Sequence, residues 1–178
     1  RSSTEDHALF DSVRGVQRQI SSNLTSAAYT TTNAVSSFDS NGFTTGNNGA
    51  TNSSGHTYVA WCFNAGTGNA TNGTGTGGVT NVSYKANIGA GFSIVKYTGS
   101  GTNGTVTHGS SSPPTLIISK TTSAAYNWMV YSSATGSGKQ LILNSSAAAA
   151  TSSTFMNNTD PTSTVFTAGG GNNLNYAS

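Results

Sequence analysis

Charged residues make up only 7% of this 178-residue chain, against about 25% in an ordinary globular domain. That scarcity limits the fold more than any motif does. A surface helix keeps one face in water with Glu, Lys, Arg and Gln, and here there is one Glu and four Lys. An all-α fold is therefore excluded, as is a coiled coil, whose flanking positions need charge. Gly, Ser, Thr and Asn together exceed half of the chain, and these residues favour turns and polar strand faces over helix interiors. Apolar residues still amount to 34%, enough for a β core. The expected fold is all-β, an antiparallel β-sandwich.

The same arithmetic restricts partners. The net charge is +2 and the only local pair of cations is Arg14 with Arg18, whereas nucleic-acid binding needs clustered cations. No apolar run approaches the ~18 residues of a membrane span. Nucleic acid and membrane insertion are both set aside. Cys62, the single cysteine, cannot form an intrachain disulfide. Its neighbours Tyr58 to Phe63 predict a buried thiol.

Short strands punctuated by turn residues recur at roughly 8–12-residue spacing, the pattern of a sandwich or barrel. Predicted strands cover Ala8–Phe10, Gln17–Ile20, Ala34–Phe38, Gly42–Thr45, Thr57–Phe63, Gly91–Tyr97, Leu116–Ile118, Trp128–Tyr131, Gln140–Leu143 and Thr164–Thr167. Thr57–Phe63 is the most apolar of the early ones and is expected to be buried on both faces. Asp39-Ser40-Asn41-Gly42 predicts a hairpin turn with positive φ at Asn-Gly. Ala147–Ala150 is expected as a helical turn closed by Thr and Ser.

An internal repeat underlies this pattern. Ala8-Leu9-Phe10, Gln19 to Asn23, Ser26 to Ala28 and Phe43 to Gly46 form one series. Trp128 to Val130, Leu141 to Asn144, Ala147-Ala148 and Phe166 to Gly169 form another, about 120 residues on. A solenoid repeat is shorter, at ~20–50 residues. The domain reading follows. Residues 1–63 are the second half of a repeat unit, and 64–83 are a Gly/Thr/Asn-rich linker or long loop. Residues 84–178 are the first part of the next unit; the two parts could be separate small β modules, but packing together as one sandwich is preferred because neither alone buries enough apolar surface.

Three sets of residues carry a family resemblance: Asp6 to Gly15, Ser37 to Thr44 and Thr57 to Phe63. They resemble one half of a repeated domain of marine bacteriophage (cyanophage-type) structural and tail-fibre proteins. Gly91 to Gly99, Asn127 to Tyr131 and Phe155 to Ser163 resemble the other half. The resemblance implies a concanavalin-like (laminin-G-like) jelly roll and a place in a virion or outside the cell. It implies a tail-fibre, appendage or capsid-surface subunit serving assembly and host attachment. Its partners would be other copies of itself and other virion proteins. Ser110–Ser112 depart from the family, which continues there with apolar residues. The family carries no catalytic motif to transfer.

Chemistry read from the residues points the same way. Glycosidases need a facing carboxylate pair, but Glu5 and Asp6 are adjacent and Asp11, Asp39 and Asp160 are scattered. His7, His56 and His108 lack metal-ligand spacing. Gly99-Ser100-Gly101-Thr102-Asn103-Gly104 spells a dinucleotide fingerprint without the helix that would present amides to phosphate, so a flexible hairpin loop is expected there. No enzyme, metal or cofactor is expected. Strand aromatics are expected to form the core. Tyr29, Tyr126 and Tyr176, nearer to loops, are the candidate carbohydrate-binding residues, which would stack on a host surface glycan. Two other readings accompany the virion one: a carbohydrate-binding module, and a bacterial extracellular filament or adhesin.

Overall fold

A computed structural model describes residues 2–171 and 174–177. The first strands are β1 (Ala8–Asp11), β2 (Gly15–Ser21), β3 (Tyr29–Thr30), β4 (Val35–Asp39) and β5 (Gly42–Thr45). A four-residue helix, α1 (Gly49–Asn52), follows. Next come β6 (Thr71–Asn72), β7 (Thr80–Asn87), β8 (Phe92–Thr98), β9 (Gly104–Thr107) and β10 (Leu116–Ser119). The chain closes with β11 (Met129–Ser132), β12 (Lys139–Ile142), β13 (Ala150–Thr151) and β14 (Val165–Ala168). The fold is all-β and antiparallel, as the composition requires. The sheets are β1-β2-β3, β4-β5, β6-β7-β8, β9-β14 and β10-β11-β12-β13.

One apolar cluster holds the second part of the chain together. Val79, Val82, Val106, Met129, Tyr131, Phe155, Met156, Phe166, Ala168 and Leu174 are buried in it, with Val95, Tyr97, Ile117 and Ile142 packed around. Strand alternation places Met129 and Tyr131 on this core, while Trp128 and Val130, also buried, take the opposite side. Residues 2–63 meet the second part along a more polar seam. The Trp128 indole N–H donates to the carbonyls of Ser21 and Leu24, at 2.9 and 3.1 Å. The Ala28 amide donates to the Thr122 carbonyl at 2.8 Å.

The repeat seen in the sequence is reproduced hydrogen bond by hydrogen bond. The His7 amide donates to the Asn23 side-chain oxygen at 2.9 Å, and 121 positions later the Trp128 amide donates to Asn144 at 2.9 Å. The Asn23 amide group donates to Asp6, and that of Asn144 to Asn127. The Ser22 N–H bonds the His7 carbonyl, and the Leu143 N–H that of Trp128. In the first turn Asp11 accepts from Val13 N–H; in the second, Ser132 accepts from Ala134 N–H. Both turns end in glycine with positive φ, Gly15 at 95° and Gly136 at 75°. Gly46 bonds Ala34 as Gly169 bonds Phe155. A Cβ at Gly46 would lie 2.5 Å from the Asn33 carbonyl oxygen, and one at Gly169 1.8 Å from that of Thr154. Residues 6–46 and 127–169 are thus two copies of one module.

Several expectations are corrected. Thr57–Phe63 forms no strand; every residue of it is exposed, Trp61 to 81%, and so is the Cys62 thiol. A strand needs a neighbour for its amides and a layer for its side chains. Here the segment is held mainly at its ends, by Ser2 N–H on the Thr57 carbonyl and by Phe63 stacked on Phe92 at 5.2 Å. Ala147–Ala150 makes no helical turn. Four alanines are too few to nucleate a helix, and Ala150 instead pairs with Gln140 at the edge of β12. Within 64–83, expected as a linker or long loop, β6 and the start of β7 form, and Val79 and Val82 enter the core. Thr74 and Thr76 there bond to the hydroxyls of Thr107 and Thr105. The β4–β5 hairpin forms with Asp39 opposite Gly42, yet neither Asn41 nor Gly42 takes a positive φ.

Candidate functional site

The three tyrosines singled out from the sequence do not all meet. Tyr126 and Tyr176 come together, with ring centroids 5.2 Å apart and planes at 49°. Tyr29 stands exposed on β3. Its neighbour Ala28 is bonded to Thr122, but no ring contact joins it to the pair among the described residues.

The pair is positioned by a buried anchor that the sequence did not advertise. Asn175 is fully buried. Its side-chain oxygen accepts from Ser100 N–H at 2.7 Å, and its amide group donates to the carbonyls of Thr102 and Ala168. The Tyr97 hydroxyl donates to the Leu174 carbonyl at 2.6 Å. These bonds fasten residues 174–176 to the loop after β8. That loop, expected as a hairpin, instead crosses between sheets, because β8 pairs with β7 and β9 with β14; a strand rather than a helix follows it. The Tyr126 phenol is raised above its ordinary value, first by desolvation and then by the neighbouring Tyr176. Two half-exposed phenols on a bonded platform offer ring faces and hydroxyls, the surface a sugar ring stacks on.

A groove of about 480 Å³ lies on the seam between the modules, lined by His7, Ser22, Asn23, Leu143, Asn144, Ser145 and Ser146. Its two asparagines are the equivalent residues of the repeat. Each spends its oxygen on a backbone amide and its amino group on the residue before it, Asp6 or Asn127. The groove is a joint in which matching corners face each other.

His108 is buried behind β9. Its Nδ1 accepts from Ser110 N–H at 3.1 Å, so Nε2 carries the hydrogen and donates to the Thr162 carbonyl, also at 3.1 Å. Burial lowers its pKa, and the Thr162 bond opposes that in part. The Ser110 backbone amide thus supplies the bond that fixes the imidazole tautomer. Lys120 donates to the carbonyls of Thr121 and Ala124, and burial brings its pKa down to about 8.

The carboxylates serve turns. Asp11 accepts from the Val13 and Arg14 amides and from the Arg14 guanidinium. Asp39 accepts from the Thr44 hydroxyl, and Asp160 from the Ser137 amide and the Tyr131 hydroxyl. Among the described residues no three His, Cys, Asp or Glu side chains converge as a metal site.

Compared with known families, residues 1–178 match the one described as Domain of unknown function (DUF7483). No curated protein and no solved structure matches the chain.

Proposed function

This chain belongs to the DUF7483 family, and we propose that it is a structural subunit of a bacteriophage virion, in a tail fibre, appendage or head-surface decoration. On this reading the fold is a concanavalin-like jelly roll, and the protein works by contact with further copies and other virion proteins rather than by catalysis. The observation that carries the reading is the duplicated module. A unit repeated with the same turns and the same asparagine lock lets a chain build a long object from one set of contacts. The charge-poor exterior supports it, because contacts between neutral polar faces lose little to salt screening. The segment-by-segment resemblance to marine phage structural proteins supports it as well.

The test is to purify phage particles from a host–phage system that encodes this chain. The chain should appear by mass spectrometry, and antibody-gold should decorate tail or head surface in electron micrographs. Absence from particles, with the chain assembled instead into open-ended filaments on cells, would place it among bacterial adhesins.

A second reading rests on the Tyr126–Tyr176 pair: a surface that stacks on host glycan, with Tyr29 as a separate contact. A glycan array should then show saturable binding that Tyr126→Ala or Tyr176→Ala reduces at least tenfold. Equal binding by wild type and both variants would remove this role from the pair.

A further inference from the structure

The two modules share a skeleton but not a covering. In the second, Met129, Tyr131, Phe166 and Ala168 are buried in one cluster with Val82, Val95 and Tyr97 of β7 and β8, and with Val106 of β9, which pairs with Phe166 in the same sheet. The corresponding residues of the first module are Ala8, Phe10, Phe43 and Thr45. Ala8, Phe10 and Thr45 are half-buried, and Phe43 is 40% exposed against 5% for Phe166. From this contrast we propose that the Ala8–Phe10–Phe43 face of β1 and β5 is a docking surface. Its occupant is an antiparallel sheet from another repeat unit of the kind formed by residues 71–107, with a valine- and tyrosine-bearing face.

The occupant is named by the molecule's own second module, where the same positions on the same hydrogen-bonded frame take that kind of sheet. A second copy of this chain does not supply it, because that copy's β7–β9 face already covers its own second module. The exposed apolar segment Tyr58 to Phe63 fits the same account. It has strand-forming residues and lies beside β8 through the Phe63–Phe92 stack, while among the described residues no such sheet packs on the first module. The docking face would serve a virion subunit and a cell-surface filament alike.

The test extends the chain so that an added copy of residues 64–126 runs directly into Asp6, as Tyr126 runs into Asn127. Amide exchange is then followed in the whole chain. Exchange in β1 and β5 should slow at least ~tenfold, and Phe43→Ser, silent in the unextended chain, should lower the denaturation midpoint. The same extension carrying Val82→Ser and Val106→Ser in the added copy should give neither effect. Exchange in the original β9 and β14 reports that the rest of the chain is folded. If those strands stay protected while β1 and β5 exchange as before, the proposal fails. It fails equally if the serine-bearing extension protects as well as the native one. It also fails if the unextended chain protects Phe43 by dimerising, which would make a second copy the occupant.

Discussion

Residues 6–46 and 127–169 fold into the same turns and the same asparagine lock, yet they end in different states of burial. Asn23 and Asn144 perform one task, as do Gly46 and Gly169. Phe43 and Phe166 do not: one is 40% exposed, the other is buried against Tyr97 and beside β9. The local frame and the core are therefore separate achievements. Short-range bonds between turn residues build the frame wherever the sequence repeats. A core needs a second layer, and only the second module has its layer among the described residues.

The largest effect should come from cutting into that layered core. Phe166→Ala should cost about 3–5 kcal/mol, while Phe43→Ala costs under about 1 kcal/mol, both read from denaturant midpoints. Similar losses would erase the contrast. Next come the glycines shared by both copies. Gly169→Ala and Gly46→Ala should each destabilise by about 1–3 kcal/mol, since the added methyl would meet a backbone carbonyl in both modules. Gly169, the tighter site, should lose more. Site-resolved exchange should show each loss confined to its own module.

The asparagines follow. Asn144→Ala leaves the amide of buried Trp128 without its acceptor and should cost about 1–3 kcal/mol. Asn23→Ala frees an exposed amide that water can satisfy, and should cost about 0.5 kcal/mol. Thermal melts of the two variants, side by side, measure the difference.

The smallest effect is a pH dependence peculiar to the second part. Folded His108 has its pKa lowered below the ordinary 6.5. As pH falls through about 6.5 the unfolded chain takes up a proton that the folded ring refuses, so stability declines. The decline levels off once the folded ring itself protonates. Melting temperature should fall between pH 7 and pH 5, and His108→Gln should flatten that slope. An unchanged slope would mean that the imidazole is not the group responsible.

Most of the strands are legible in the residues that form them. Alternation and turn residues locate β1, β2, β4, β5, β8, β10, β11, β12 and β14, because each segment's own side chains specify a half-buried strand. The repeat is likewise visible in residue order. The misreadings share a cause. Thr57–Phe63 looks more strand-like than most true strands, but strandness requires a neighbour, and a segment cannot report whether one lies beside it. Ala147–Ala150 is decided by the open edge of β12, not by alanine's helix propensity. The helix α1 has a signal in Asn48, which accepts from Ala50 N–H, in a stretch where glycine and asparagine argue for loop.

The candidate site divides the same way. Tyr126 and Tyr176 each stand out as aromatics near a loop. Their pairing depends on Asn175 and Tyr97 drawing two distant stretches together. Residue chemistry alone determined an all-β chain, poor in charge and built on a duplicated frame, because turn geometry and strand alternation are settled over a few neighbouring positions. Which copy acquires a core, which apolar segment stays in water and which tyrosines touch were decided by tertiary packing, because burial belongs to the pair of surfaces that meet and not to either one.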